Sequence, residues 1–143
     1  MRLFAAGVPP ANVVRHLDRA VAPLRDDVLR WAALDSWHLT LAFYGEVDPD
    51  AVPELTRRLT RAAARSMPMA LRLAAAGRFG RGVLWMGVLG DTGPLRRLAA
   101  SAAAAGRRLG VEVEEGHGYR PHITLARSAS RIDLRPYVEP LKD

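Results

Sequence analysis

Two stretches of this chain carry one pattern. Residues 38–42 read HLTLA and residues 122–126 read HITLA, identical at four of five positions. The whole sequence holds only four histidines, so a threonine two places after a histidine, twice over, has a chance likelihood on the order of one per cent. In an extended strand residues i and i+2 point to one face. His38 and Thr40 would then share a surface, with Leu39, Leu41 and Phe43 behind them. His122 and Thr124 repeat the arrangement, with Ile123 and Leu125 behind. Two imidazoles flanking a phosphate suit in-line displacement at phosphorus. One takes a proton from attacking water and the other gives a proton to the leaving oxygen, because imidazole is available in both forms near neutral pH. The threonine hydroxyls would hold the non-bridging oxygens. This scheme needs no metal and no cofactor. If the two strands lie side by side, all four groups meet in one groove.

The elements that must position these groups follow from periodicity. Residues 2–8 read as a buried strand closed by Pro9 and Pro10. Val13, Leu17, Val21 and Leu24 form the stripe of a first helix. Residues 37–44 read as a strand, and Asp48-Pro49 as the start of a second helix, buried through Val52, Leu55, Leu59 and Ala62. Segments 69–77 and 83–89 read as two strands joined by a turn around Gly80 and Gly82. Asp91 or Thr92 caps a third helix with Leu95, Leu98, Ala102, Ala105 and Leu109 on its stripe. A strand over 120–127 follows a polar loop, and Ser130 caps a short final helix running through Val138. The order β-α-β-α-β-β-α-β-α describes a mixed α+β chain, read as a single domain over residues 1–143.

Composition narrows the chemistry. There is no cysteine, which excludes disulfides, thiol nucleophiles and cysteine-ligated zinc. No second histidine stands at i+2 or i+4 from either motif histidine, so a zinc site is disfavoured as well. The net charge is +6, which favours a polyanionic partner. Every basic residue except Lys142 is arginine, whose planar fork matches phosphate. With that one lysine near the end and no G-x-x-x-x-G-K-[ST] loop, a nucleotide-dependent ligase with a lysyl-adenylate is disfavoured. No run of about 18 apolar residues occurs, so no membrane-spanning helix is expected, and no signal-peptide pattern opens the chain. The sequence reads as cytoplasmic.

At the two motifs the chain resembles the two-histidine (2H) phosphoesterase superfamily, and within it the RNA 2′,3′-cyclic phosphodiesterases, also called 2′-5′ RNA ligases. The blocks WHLTLAFYGEV (37–47), GRFGRGVLWMGV (77–88) and YRPHITLAR (119–127) are similar to family blocks and stand in family order. The resemblance implies a bilobal, pseudo-symmetric fold with two antiparallel-rich sheets around a central cleft and helices outside. It implies hydrolysis of RNA 2′,3′-cyclic phosphate ends, for example on transfer-RNA fragments, to 2′-phosphomonoesters, with reversible ATP-independent 2′-5′ joining as a side activity. It assigns His38 and His122 as catalytic, with His122 as the base and His38 as the acid, and Thr40 and Thr124 as phosphate-binding. Family members usually continue past this point through further strands, so this C-terminus reads as short for the family.

Further residues are candidates for substrate contact. Arg120 shares the face of His122 by alternation. Arg127 falls with Ile123 and Leu125 unless the strand has ended or bulged, so Arg120 is favoured on periodicity. Tyr44 and Tyr119 are candidates to stack on a base; Phe79 and Trp85 are weaker ones, and Phe43 reads as core. His16 and His117 read as structural or solvated. Two alternatives stay open: a phosphodiesterase for another nucleotide, such as a 2′-5′ oligoadenylate or ADP-ribose cyclic phosphate, and a non-catalytic RNA-binding domain on the same scaffold.

Overall fold

Proline and short polar side chains mark where the elements begin. The Pro10 carbonyl accepts the amides of Val13 and Val14 at 3.0 Å, which starts α1 (Ala11–Val21) directly after β1 (Arg2–Gly7). The Asp48 carboxylate accepts the Asp50 amide at 2.9 Å, and Pro49 opens a 3₁₀ turn that runs into α2 (Val52–Arg65). Between them lie the two-residue β2 (Arg30–Trp31) and the longer β3 (Leu39–Glu46). The remaining elements are β4 (Leu71–Phe79), β5 (Val83–Gly90), α3 (Thr92–Arg108), β6 (His122–Arg127) and α4 (Arg135–Val138). The computed structural model describes residues 1–114, 119–128 and 132–141. His117 and the expected cap Ser130 lie outside the described residues. The result is a mixed α+β fold, as the element order indicates. Among the described residues no helix is long and apolar enough to cross a membrane.

The chain divides into two compact units. The first comprises Met1–Gly7, Thr40–Leu71 and Gly90–Pro121. Its two-stranded sheet is β1-β3, and the free edge of β3 is met by an isolated bridge between Tyr44 and Val113. There the Gly45 amide donates to the Glu112 carbonyl at 2.6 Å and the Glu114 amide to the Phe43 carbonyl at 3.0 Å. Ala5, Ala42, Tyr44, Val47, Leu55, Ala102, Ala105 and Val111 form the core of this unit. The Asp91 side chain, expected to cap α3, instead accepts the Ala70 amide at 2.8 Å and ties the approach to β4 to the end of β5.

The second unit comprises Val8–Leu39, Arg72–Leu89 and His122–Asp143. Its sheet has the order β2-β6-β5-β4, with β6 antiparallel to both neighbours. Ile123 and Leu125 are buried at 2 % and 0 % exposure, and with Leu17, Val21, Trp37, Leu84, Met86 and Leu134 they form this unit's core.

The structure answers one open condition about the motif strands and corrects one expectation. The strands are not hydrogen-bonded neighbours: β3 lies in the β1-β3 sheet and β6 in the other. Each already has both edges occupied, β6 by β2 and β5, and β3 by β1 and residues 112–114. The buried face of β3 is also reversed from Ala42 onward. Phe43, read as core, is 47 % exposed beside Phe4, whereas Tyr44, read as a stacking candidate, is 4 % exposed. The cause is α3. Its Gly106 leaves room for the Tyr44 ring, and the Tyr44 hydroxyl donates to the Ala102 carbonyl at 2.8 Å. Tyr44 therefore joins strand to helix and is not available to a base.

This packing has two consequences that can be measured. A β-carbon at Gly106 would sit 2.7 Å from Cε1 of Tyr44. Alanine in place of an interior helical glycine ordinarily stabilises by about 0.5–1 kcal/mol, but overpacking costs about 1–3 kcal/mol. Gly106→Ala is thus expected to lower the urea midpoint, and a rise would refute the contact. Burial also pushes the Tyr44 hydroxyl up to about 12. Above the ordinary tyrosine value the folded state keeps a proton that the unfolded chain has released, so stability falls as pH rises from about 10 to 12. Tyr44→Phe should flatten that fall by about 1–2 kcal/mol, read from urea melts at stepped pH; an unchanged slope would place the ring in solvent.

Candidate active site

The second motif is built on the strand with two partners. Pairing of β6 with β5 sets Gly87 opposite His122, Met86 opposite Ile123, and Trp85 opposite Thr124. The register then shifts: Leu84 lies opposite Ala126 and Val83 opposite Arg127. Leu84 and Trp85 are adjacent on β5 and face opposite sides, so Thr124 and Ala126 must do so too. The extra residue in β6 is a β-bulge. Burial agrees, since Ile123, Leu125 and Ala126 are all buried while Thr124 is half-buried and Arg127 exposed. Beyond the bulge Arg127 therefore returns to the face of His122 and Thr124.

This corrects the choice between the two arginines. Arg120 is exposed and precedes Pro121, outside the strand, so strand alternation does not carry from His122 back to it. Arg127 is the one that β6 places on the histidine face.

The His122 ring is packed by aromatic side chains of this sheet. Phe79 meets it edge-on, with centroids 5.0 Å apart at 87°, and Trp85 lies at 6.1 Å. Phe79 and Trp85 also contact each other at 5.3 Å. Two glycines make this possible. A β-carbon on Gly77 would fall 2.3 Å from the Trp85 ring, and one on Gly87 would come 3.4 Å from it and 2.8 Å from the Ala74 carbonyl. The indole thus lies over bare backbone beside His122. Phe79 and Trp85, weak stacking candidates from the sequence, are packed on the histidine. The signal that could have shown this is the pair of glycines in GRFGRGVLWMGV.

His38 immediately precedes β3 and belongs to the second unit, as do His122 and Thr124; Thr40 belongs to the first. The Nδ1 of His38 lies 2.7 Å from the Ser36 carbonyl oxygen. A carbonyl only accepts, so Nδ1 carries the hydrogen and the neutral ring presents Nε2 as its basic nitrogen. Ser36 is itself fixed, its amide and hydroxyl both donating to the Ala33 carbonyl at 3.0 and 2.7 Å. Trp37, between Ser36 and His38, is buried in the core and anchors the segment.

In the first unit Tyr119 donates its hydroxyl to the Thr40 backbone carbonyl at 2.8 Å, and its own carbonyl accepts from Arg96. Burial pushes this phenol up to about 12, against a smaller lowering from Arg96. Tyr119, a stacking candidate from the sequence, has its polar end engaged in holding the strand that carries Thr40. His16 is exposed on α1. Among the described residues no group of three or more histidine, aspartate or glutamate side chains could hold a metal ion.

Comparison with known proteins agrees with this architecture. The family model of the 2′-5′ RNA ligase superfamily matches residues 9–143. The RNA 2′,3′-cyclic phosphodiesterase of Aeropyrum pernix is 30% identical over 133 residues, covering 86% of this chain and 74% of that protein. The Escherichia coli protein of the same name is 31% identical over 128 residues, covering 80% and 71%. A Geobacillus stearothermophilus protein, also so named, is 34% identical over 101 residues, and this chain spans 32% of its length. Among solved structures, apo LigT of E. coli superposes with a TM-score of 0.75 at 31% identity, covering 92% of this chain and 74% of LigT. LigT has also been solved with 3′-AMP and with phosphate. Sequence match and structural superposition converge: the chain belongs to the 2′-5′ RNA ligase superfamily of two-histidine phosphoesterases.

Proposed function

We propose that the protein opens the 2′,3′-cyclic phosphate at the end of an RNA strand and leaves a 2′-phosphomonoester. His122 takes a proton from water as its oxygen attacks phosphorus. The bond from phosphorus to the 3′ oxygen breaks, and that oxygen takes a proton from Nε2 of protonated His38. Thr40 and Thr124 donate to the non-bridging oxygens, where charge builds as the attacking oxygen adds. Replacing water by the 5′ hydroxyl of a second RNA strand gives a 2′-5′ linkage by the same proton transfers. That step conserves the number of phosphodiester bonds, so it needs no nucleotide.

The observation that carries this reading is the repeated histidine-x-threonine pair in a chain whose relatives are named RNA 2′,3′-cyclic phosphodiesterases. The local structure supports it. His38 is oriented by the Ser36 carbonyl so that Nδ1 stays a donor in both protonation states, which leaves Nε2 to exchange the proton. His122 is packed by Phe79 and Trp85, which limits ring rotation. A preset ring orientation lets a proton pass without reorganisation.

The test uses a 2′,3′-cyclic mononucleotide and a cyclic-ended oligoribonucleotide, with EDTA present. Expected are a 2′-phosphate product and a bell-shaped pH–rate profile, reporting one group that must be deprotonated and one that must be protonated. His38→Ala and His122→Ala should each lose about 10²–10⁴ in kcat. Unchanged turnover in either variant would sink the two-histidine mechanism. RNA binding without turnover by the parent protein would leave the binding-module reading standing.

A further inference from the structure

The positive charge of this chain is concentrated on two helices of the first unit. Four arginines stand on α2 and four on α3, against one carboxylate, Glu54. The two helices therefore sum to +7, whereas the whole chain is +6, so all other residues together come to −1. The helices pack on each other and on the face of the β1-β3 sheet that carries Ala42 and Tyr44, through Leu55, Leu59, Ala102 and Ala105. Their arginines lie on the outer side, all exposed except the half-buried Arg58.

Helix stability accounts for part of this layer. Arg65, Arg107 and Arg108 stand in last turns, where the helix dipole favours a cation. Glu54 meets Arg57 and, at 3.2 Å, Arg58. Arg96 holds the Tyr119 carbonyl. None of these roles falls to Arg61 or Arg97, and neither makes an ion pair among the described residues. Arg57, Arg61 and Arg65 also follow one another at four-residue intervals, about 6 Å apart along the axis. Like charges so spaced destabilise a helix by about 0.2–0.5 kcal/mol per pair. A layer serving stability alone would set carboxylates between them.

The other residues of the layer say what it meets. Thr60, Ala63, Ala64 and Ala100 are exposed between the arginines, and no large apolar side chain of either helix is exposed. The layer thus offers no apolar group to enter a bilayer or a partner protein's pocket, and no aromatic ring to stack on a base. What it offers is guanidinium, which takes phosphate by charge and by forked hydrogen bonds. We propose that the outer layer of α2 and α3 is a docking surface for the sugar–phosphate backbone of RNA, engaged without regard to base sequence. This rests on the function proposed above, which makes RNA the partner. The surface holds the body of an RNA and so favours long strands over free cyclic nucleotides, which have no further phosphates to place on it.

The experiment measures anisotropy of a labelled oligoribonucleotide of about twenty residues with a 3′-hydroxyl end, at several salt concentrations. The helix variant combines Arg61→Gln, Arg65→Gln, Arg97→Gln and Arg108→Gln. A control variant removes equal charge from exposed positions elsewhere, by Arg15→Gln, Arg19→Gln, Arg72→Gln and Arg81→Gln. The helix variant should bind at least tenfold more weakly, with a log–log salt slope shallower by about 0.7 for each phosphate it no longer neutralises. The control should lose less than threefold, and lysine at the four helix positions should restore most of the binding. Turnover of 2′,3′-cyclic AMP should be unchanged in the helix variant, and relief of repulsion should keep its melting temperature the same or higher. If the fourfold variant does not fold, the pair Arg61→Gln and Arg97→Gln replaces it and should lose at least threefold. Equal losses in the helix and control variants, no loss in the helix variant, or no binding by the parent at low salt would each overturn the surface. Unchanged RNA binding with lost binding to phosphatidylserine vesicles would overturn it too and assign the layer to a membrane. The labelled RNA has no cyclic end. A parent that binds it through these arginines but opens no cyclic phosphate would refute the proposed function and uphold the surface.

Discussion

The register shift where β6 passes Leu84 and Trp85 sorts the second motif into what packs and what faces out. Without it, period-two alternation would send Ala126 to the histidine face and turn Arg127 into the core. Burying an unpaired guanidinium costs several kcal/mol. With it, Ile123, Leu125 and Ala126 all contribute to the core while His122, Thr124 and Arg127 stay on one polar surface. One extra residue thus anchors a short strand by its apolar side chains and still presents three polar ones on the other face. Bulges recur beside functional sites for this reason.

The first motif is positioned by different means. Its strand is pinned to α3 by Tyr44 over Gly106 and Ala102, and its Thr40 carbonyl is held by Tyr119, whose own carbonyl is held by Arg96 of the same helix. Tyr44 is buried and Tyr119 half-buried, and burial pushes both phenols up to about 12, so both stay neutral donors across physiological pH. A neutral donor is suited to a backbone carbonyl. It fixes the strand and adds no charge beside Thr40. The histidine of this motif depends on the chain before the strand, where Ser36 and buried Trp37 set the ring.

What the sequence discloses depends on how local the physics is. The HLTLA and HITLA echo is readable because residue type and spacing carry it entirely. So are the helix stripes, and the Asp48-Pro49 start, which is a contact between near neighbours. Alternation along β3 separates two faces but does not say which one a helix will cover, and so Phe43 and Tyr44 exchange roles. A two-residue strand such as β2 has no period to detect; it exists because Leu125 offers a carbonyl and Tyr137 a ring. The bulge is equally silent, since HITLAR has no glycine or proline to mark it. It is a property of β6 pairing with β5, residues some forty positions away in sequence. The aromatic packing around His122 lies between these cases, since the glycines that permit it are visible but their partner is not.

The proposed centre of two histidines and two threonines would read a phosphate and nothing else. Discrimination between an RNA end and a free cyclic nucleotide must then come from groups beyond the reacting atoms. Contacts to parts of the substrate that do not react bind ground state and transition state alike, so they lower KM and leave the chemical step untouched.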